Sequence, residues 1–371
     1  MKLDLSGLKA TLGMGPQVGK VLILDGDNVV GFRIVNLLLK EGETPGVELR
    51  VGFRDLPNDD EVAEGWEGVE RVKFVWEDEA TYADALKHIT TVFISTPTTP
   101  DFDTHFKTFL TACKKAKVHR FVKLSFYHAL RSRAENPNKY FGDPEYLLSR
   151  DNFHDIPLVH QHALCDGDLI VGGVDCTILF ASHLMSNVLE YQGSTLKEEH
   201  EFYGASGGKG VNYVSPNDVA DIAARAILDP KTHKRQGYTL TGATPITDQE
   251  VATLFSTHLE TSVTYVEKPL AFFTQNSAAF EKVKASGLEE ENKFIKGDFE
   301  RISGRKPESF ADYLMKEDTM APVEKKAFGH TITMVPKIEQ EFPEQPHFIT
   351  MVPKTEEETR APTEAEPVAA Q

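Results

Sequence analysis

The sequence predicts an α/β fold, doubly wound about a mostly parallel sheet, with a smaller C-terminal lobe and a disordered acidic tail. Three observations predict it. Short, near-continuous apolar runs alternate with helical stretches from Lys20 onward, the pattern of strands covered on both faces by helices. After residue 150 the alternation continues more loosely. After residue 318 the composition turns to Pro and Glu. The connections between parallel strands are expected to be right-handed crossovers.

Taken in order, Lys20-Val21-Leu22-Ile23-Leu24 reads as a buried strand, followed by the turn Asp25-Gly26-Asp27-Asn28. Val29 to Glu41 carries Val30, Ile34, Val35, Leu37 and Leu38 at helical spacing and stops at Gly42. Strands are expected at Val47 to Phe53, Val72 to Val75, Thr91 to Ser95 and Arg120 to Ser125, with helices at Tyr82 to His88 and Phe102 to Lys115. Beyond residue 150, His160 to Val171 reads as a helix and Asp175 to Phe180 as a strand. The glycine-rich loop 204–210 precedes Val211 to Val214, and Asn217 or Asp218 is expected to cap a helix from Val219 to Leu228. Tyr238 to Gly242 is a strand, and Thr247 with Glu250 forms a capping box.

Lys and Arg number 40 against 57 Asp and Glu, a formal charge of 40 − 57 = −17. That balance argues against a nucleic-acid partner, which requires a basic stripe. No apolar run reaches the roughly 18 residues of a membrane span, and the N-terminus lacks the layout of a secretory signal. Cys113, Cys165 and Cys176 are odd in number and widely spaced, which fits free thiols in a reducing compartment. An intracellular, soluble, cytoplasmic protein is expected.

From Thr331 to Gln371 there are six prolines, three basic residues and eight Glu. Such a segment buries too little apolar surface to offset its ordering entropy. Within it Ile332-Thr333-Met334-Val335-Pro336-Lys337 recurs as Ile349-Thr350-Met351-Val352-Pro353-Lys354. Either copy has the length and composition of a strand added to a partner's sheet, stopped by its proline. Residues 331–354 are therefore a candidate protein-binding segment, or a duplication in a solvated tail. The chain divides into an N-terminal extension (1–18), a domain (19–317) with a core at 19–180 and an interleaved lobe at 181–317, and the tail (318–371).

Four stretches, RFVKLSFYHA (120–129), GVDCTILFASHLMSN (173–187), VNYVSPNDVADIAARAIL (211–228) and GYTLTGATPITDQEVA (237–252), resemble the NmrA-like family of atypical short-chain dehydrogenases. ISGRKPESFADYL (302–314) is similar to the helix that closes that domain. The resemblance implies a Rossmann-type dinucleotide domain with a substrate lobe. Members are NAD(P)H-dependent reductases or cofactor-sensing regulators without turnover. The family's first turn has glycines at positions matching 25, 28 and 31, of which this chain keeps only Gly31. Asn28 tolerates the left-handed region, or it or Asp27 simply caps the helix; Asp25 places a carboxylate where the backbone should approach a pyrophosphate. Arg54 matches a position whose arginine often holds the 2′-phosphate of NADP in that family, or it is a solvated arginine in a charged loop; Arg33 lies nearby. Val75 stands where an Asp usually faces the adenine.

The cofactor implied is NADP(H), opposed by Asp25 and Val75, with Gly26, Asn28, Gly31, Arg33, Arg54, Thr96 and Ser125 as its binding residues. The Tyr-x-x-x-Lys pair of ordinary relatives is missing, since neither Tyr140 nor Tyr146 has Lys four residues on. Tyr127 and His162 are the candidates for handing a proton to a reduced carbonyl. No metal is expected, because His160 and His162 diverge on a helix. The resemblance implies that the glycine loop with Lys209 is a flexible substrate-side loop, and the run Glu289 to Glu291 reads as a solvated helix face. Two functions follow: an NADP(H)-dependent reductase of a small carbonyl, quinone or related substrate, or a non-catalytic cofactor sensor or scaffold whose tail repeats bind a protein.

Overall fold

The computed structural model describes residues 18–26, 28–40, 47–58, 62–63, 65–66, 68–95, 101–127, 156–286 and 297–316. The expectations for residues 1–17, Asp27, Thr96, Tyr140, Tyr146, Glu289 to Glu291 and the 318–371 tail with its repeats fall outside these residues.

The strands in chain order are β1 (Gly19–Ile23), β2 (Val47–Phe53), β3 (Glu70–Lys73), β4 (Ile89–Ile94), β5 (Arg120–Phe126), β6 (Asp175–Ala181), β7 (His183–Leu184), β8 (Glu201–Gly204), β9 (Tyr213–Val214), β10 (Gln236–Leu240) and β11 (Thr264–Glu267). Seven form one sheet in the order β3-β2-β1-β4-β5-β6-β10, every neighbouring pair parallel. The order reverses direction between β1 and β4, which makes their carboxyl ends the switch point where such sheets hold ligands.

Alternate residues of β1 serve the two faces. Val21 and Ile23 pack under the Val29–Lys40 and Pro216–Leu228 helices, while Leu22 and Leu24 meet the layer of the Phe102–Ala116 and Pro157–Val171 helices. That second layer contains an aromatic knot in which the Trp76 ring meets Phe74, Phe102 and Phe109 edge-on.

Three boundaries differ from expectation for identifiable reasons. β3 lies at Glu70–Lys73, not Val72 to Val75, because it pairs in register from Arg50↔Glu70 to Phe53↔Lys73 and Glu70 accepts ion pairs from Lys20 and Arg50. The helix after it is shorter than predicted, Tyr82–Ala85, since His88 adopts a left-handed φ of 63° on entry to β4. The Pro216–Leu228 helix is capped by Ser215, whose side chain accepts from Asn217 N, rather than by Asn217 or Asp218. Pro216 supplies the first helical position, where a missing N–H is harmless. The Thr247 capping box forms as expected, with both reciprocal bonds to Glu250.

The smaller lobe pairs β7 with β9 and β8 with β11. Its core joins Leu196, Phe202, Val251, Phe255, Phe310 and Tyr313. Lys209 donates to the Ala285 carbonyl at 2.5 Å and Gly207 N to Glu267 at 3.1 Å, so the glycine loop is tied to neighbouring elements of that lobe. The chain returns to the main sheet through Arg305, which pairs with Asp218 and Asp221 at 2.8 and 3.2 Å. Among the described residues no helix is long and apolar enough to cross a membrane.

The most demanding element is β5. Lys123 points into the layer under the Pro157–Val171 helix with no exposed surface, and its ammonium lies 2.7 Å from Asp166, equally buried. Removing one member of such a pair leaves an uncompensated buried charge, a loss of about 3–5 kcal/mol. Lys123→Met should therefore lower the unfolding free energy by about that amount, while Lys123→Met with Asp166→Leu should recover most of it. Urea unfolding at pH 7 checks this; equal losses in single and double variants would contradict it.

Candidate active site

At the switch point β1 ends and the chain reverses at Asp25, which adopts a left-handed φ of 54°. The turn closes through Asn28 N donating to the Asp25 carbonyl at 2.8 Å and Gly26 N to the Gly52 carbonyl at 3.2 Å. The left-handed conformation that Asn28 tolerates falls at Asp25, and of the two expectations for Asn28 the helix cap is the one that forms. Asn28 instead caps the following helix, its Oδ1 accepting from Val30 N at 2.9 Å and its carbonyl from Phe32 N at 2.9 Å. A capping residue keeps extended or near-helical backbone, so the chain makes its sharp reversal three residues earlier.

Two glycines make the turn possible. A Cβ on Gly26 would stand 2.0 Å from Val51 Cγ1, and one on Gly31 would stand 2.6 Å from the Asp25 carbonyl oxygen. Their bare Cα atoms let β1, β2 and the Val29–Lys40 helix approach closely, with the helix N-terminus at the carboxyl edge of the sheet. This backbone fits a dinucleotide pyrophosphate. Asp25 is the opposing element. Its carboxylate is half-buried and accepts from Ser95 Oγ at 3.0 Å across the switch point.

Arg54 follows β2, on the same edge, and its guanidinium makes a two-oxygen contact with Glu77 at 2.9 and 2.7 Å. Both side chains are substantially exposed, so this pair is weak and exchangeable. Arg33 is engaged within its own layer: its Nε donates to Asn217 Oδ1 at 2.7 Å and its Nη1 to the Val29 carbonyl at 3.0 Å. It ties together the first turns of the Val29–Lys40 and Pro216–Leu228 helices. Val75 lies just past β3, its N–H donating to Thr81 Oγ1 at 3.1 Å.

The end of β5 holds the other candidates. Ser125 Oγ donates to Asp166 Oδ2 at 2.5 Å, so Asp166 is shared between this hydroxyl and Lys123. Tyr127 is buried in the aromatic layer with Trp76 and Phe102. His162, one turn before Asp166, is buried beside Phe126, ring centroids 6.3 Å apart. Its Nδ1 has no hydrogen-bond partner among the described residues. Burial first, and the nearby Lys123 charge second, push its pKa well below 6.5. Phe126, His183 and Phe280 form a mutual aromatic triangle at 5.5–5.8 Å, with Tyr191 against Phe280. This bridges the sheet edge and the smaller lobe.

Structure thus gathers Gly26, Asn28 and Gly31 into one turn, with Arg54 on the same edge of the sheet, and gathers Ser125 and His162 around Asp166. Arg33 bonds within the first turn of the Val29–Lys40 helix, and Tyr127 lies buried just past β5. Ser95, Glu77, Lys123 and Phe280 carry roles that sequence reasoning missed. Only Lys123 had a legible signal, a cation between Val122 and Leu124 in the middle of a strand whose neighbours are apolar, which must find a buried anion. Among the described residues no group of three His, Cys, Asp or Glu is placed to hold a metal ion.

Because native His162 resists protonation and the unfolded chain does not, the unfolded state binds more protons below pH 6.5. Its contribution to stability is complete above that pH and is lost as pH falls, at up to about 1.4 kcal/mol per pH unit. Urea unfolding at pH 7.5, 6.5 and 5.5 should show a shallower acid loss for His162→Gln than for the native chain. Parallel slopes would show that the native ring is protonated normally.

Comparison with known proteins agrees with this geometry. Residues 29–230, just over half of the chain, match the family model described as NAD(P)H-binding. The match starts at Val29, directly after the turn in which Asp25 and Asn28 depart from the glycine pattern. An NAD(P)H azoreductase from Xenophilus azovorans is 24% identical over 248 residues, covering 66% of this chain and 76% of its own. An agroclavine dehydrogenase from Claviceps fusiformis is 25% identical over 317 residues, covering 79% of this chain and 96% of its own. A solved NADPH-dependent quinone oxidoreductase from Escherichia coli, complexed with NADPH, superposes with a TM-score of 0.60 at 17% identity. It covers 80% of this chain and 99% of its own, and shares the fold. On the strength of the family match and the turn built on Gly26 and Gly31, the chain belongs to the NAD(P)H-binding, NmrA-like family of atypical short-chain dehydrogenases.

Proposed function

We propose that the protein is an NADP(H)-dependent reductase of a small carbonyl, quinone or related conjugated acceptor. The observation that carries this reading is the switch-point turn, in which Gly26 and Gly31 leave room that any Cβ would fill, with Arg54 exposed on the same edge. Gly26, Gly31 and the N-terminus of the Val29–Lys40 helix would hold the pyrophosphate. Arg54 would exchange Glu77 for the 2′-phosphate, a task suited to a planar guanidinium fork. The cofactor, when bound, supplies hydride. Neutral His162 would donate a hydrogen bond to the acceptor oxygen as negative charge develops there, a role open to an imidazole whose pKa is depressed. The aromatic triangle of Phe126, His183 and Phe280 suits a planar acceptor. The relatives named as an azoreductase and a quinone oxidoreductase support that substrate class. The cytoplasm suits three buried free thiols, and a charge of −17 disfavours nucleic acid.

A second reading, a cofactor sensor or scaffold without turnover, is favoured by two observations: Ser125 is held by Asp166, and Tyr127 is buried within the second apolar layer. Under it the repeats within 331–354 bind a protein partner by strand addition. A thermal-shift titration followed by an acceptor panel separates the two. NADPH and NADP should raise the unfolding temperature more than NADH and NAD, since a ligand of the native state stabilises it by mass action. Arg54→Ala should weaken NADPH binding about 10- to 100-fold and leave NADH binding unchanged. NADPH oxidation with a quinone, azo dye or aldehyde establishes the reductase; binding without oxidation by any of them selects the sensor.

A further inference from the structure

We propose that Asp25 sets the affinity of this chain for its dinucleotide, acting as a fixed negative charge inside the pyrophosphate crevice. The inference rests on the cofactor reading of that crevice. Asp25 occupies the first position of the turn, where the family has glycine, and it takes the left-handed backbone that glycine would take, φ 54°. A non-glycine residue holds that conformation only when its surroundings over-determine it. Here they do so from both ends. The Asp25 carbonyl accepts from Asn28 N at 2.8 Å and lies against the bare Cα of Gly31. The carboxylate accepts from Ser95 Oγ at 3.0 Å, across from β4.

The side chain is therefore tied to the end of β4 at the switch point. A pyrophosphate carries two negative charges and is drawn to the helix N-terminus. A carboxylate one turn-width away repels it, in a half-buried place where screening by water is incomplete. The Ser95 hydroxyl, buried just past β4, donates to the carboxylate and ties it there. This leaves a site whose shape accepts the dinucleotide and whose charge weakens it, so Asp25 is an affinity-determining residue.

Isothermal titration of NADPH into the full chain tests this with Asp25→Asn and Asp25→Gly. Asn removes the charge, tolerates the left-handed region and still accepts from Ser95. Gly removes charge and side chain together. Both variants should bind NADPH about tenfold more tightly or better. The ratio of native to Asp25→Asn dissociation constants should shrink as NaCl rises, because salt screens the repulsion. Unfolding midpoints of the variants at or above the native value show that the turn survives. If the native chain binds NADPH and Asp25→Asn binds it equally or more weakly, the proposal is overturned. A ratio insensitive to salt overturns the charge argument. If neither the native chain nor either variant binds any nicotinamide dinucleotide, the cofactor reading fails and this inference fails with it. Binding by the variants but not by the native chain supports both.

Discussion

Lys123 sits in the middle of a strand with both faces covered, so its ammonium has no route to water. It must meet an anion inside the layer, and Asp166 on the overlying helix is that anion. The pairing fixes the rotation of the Pro157–Val171 helix over β5. It thereby fixes where His162 stands, one turn earlier on the same helix, and which group Ser125 donates to. The Lys123 charge also helps keep His162 neutral. A residue that reads as structural thus decides what the neighbouring polar groups can do: a serine held by a carboxylate is a poor partner for substrate, and a buried neutral imidazole is a hydrogen-bond donor before it is an acid.

The switch point shows a related economy of space. β1, β2 and the first helix approach so closely that Gly26 and Gly31 admit no Cβ. With the backbone reversed at Asp25, the third crowded position is filled by a side chain that Ser95 holds in place. The turn keeps the shape of a dinucleotide cradle while gaining a carboxylate. Shape follows from packing, which the glycines enforce, whereas affinity follows from electrostatics, which a single side chain can lower.

The smaller lobe is tied down by buried charge as much as by its apolar core. Lys284 lies 2.9 Å from Asp248 and 2.7 Å from Glu281, which in turn accepts from Ala205 N. This joins the helix bearing Phe280 to the Asp248–His258 helix and to β8. Farther along, Asp218 accepts from Glu308 N at 2.7 Å and pairs with Arg305. Burial pushes the Asp218 carboxyl up to about 6 against the pull of Arg305. Glu308 moves the other way: burial raises it, but donation from Lys316, Ser215 and Asn217 outweighs that and holds it low. The C-terminal segment is thus fastened to the main sheet by ionic contacts between distant parts of the chain.

What the sequence determined by itself was local and periodic. The apolar runs at Lys20 to Leu24 and Arg120 to Ser125, the helical spacing of Val30, Ile34 and Leu38, and the Thr247 capping box all appear where the pattern placed them, because each depends on neighbours within a turn or a strand. The parallel, doubly wound sheet followed from the order of those elements. The register of β3, the Ser215 cap and the left-handed backbone of Asp25 were decided only when strands paired and glycines closed on one another. The same holds for the partners of the candidate residues. Arg54 with Glu77, Arg33 with Asn217, Asp25 with Ser95 and Lys123 with Asp166 are 23 to 184 residues apart. A charge has no periodicity to betray its partner; only the folded chain brings the two within 3 Å, and that distance decides whether a residue binds, bridges or repels.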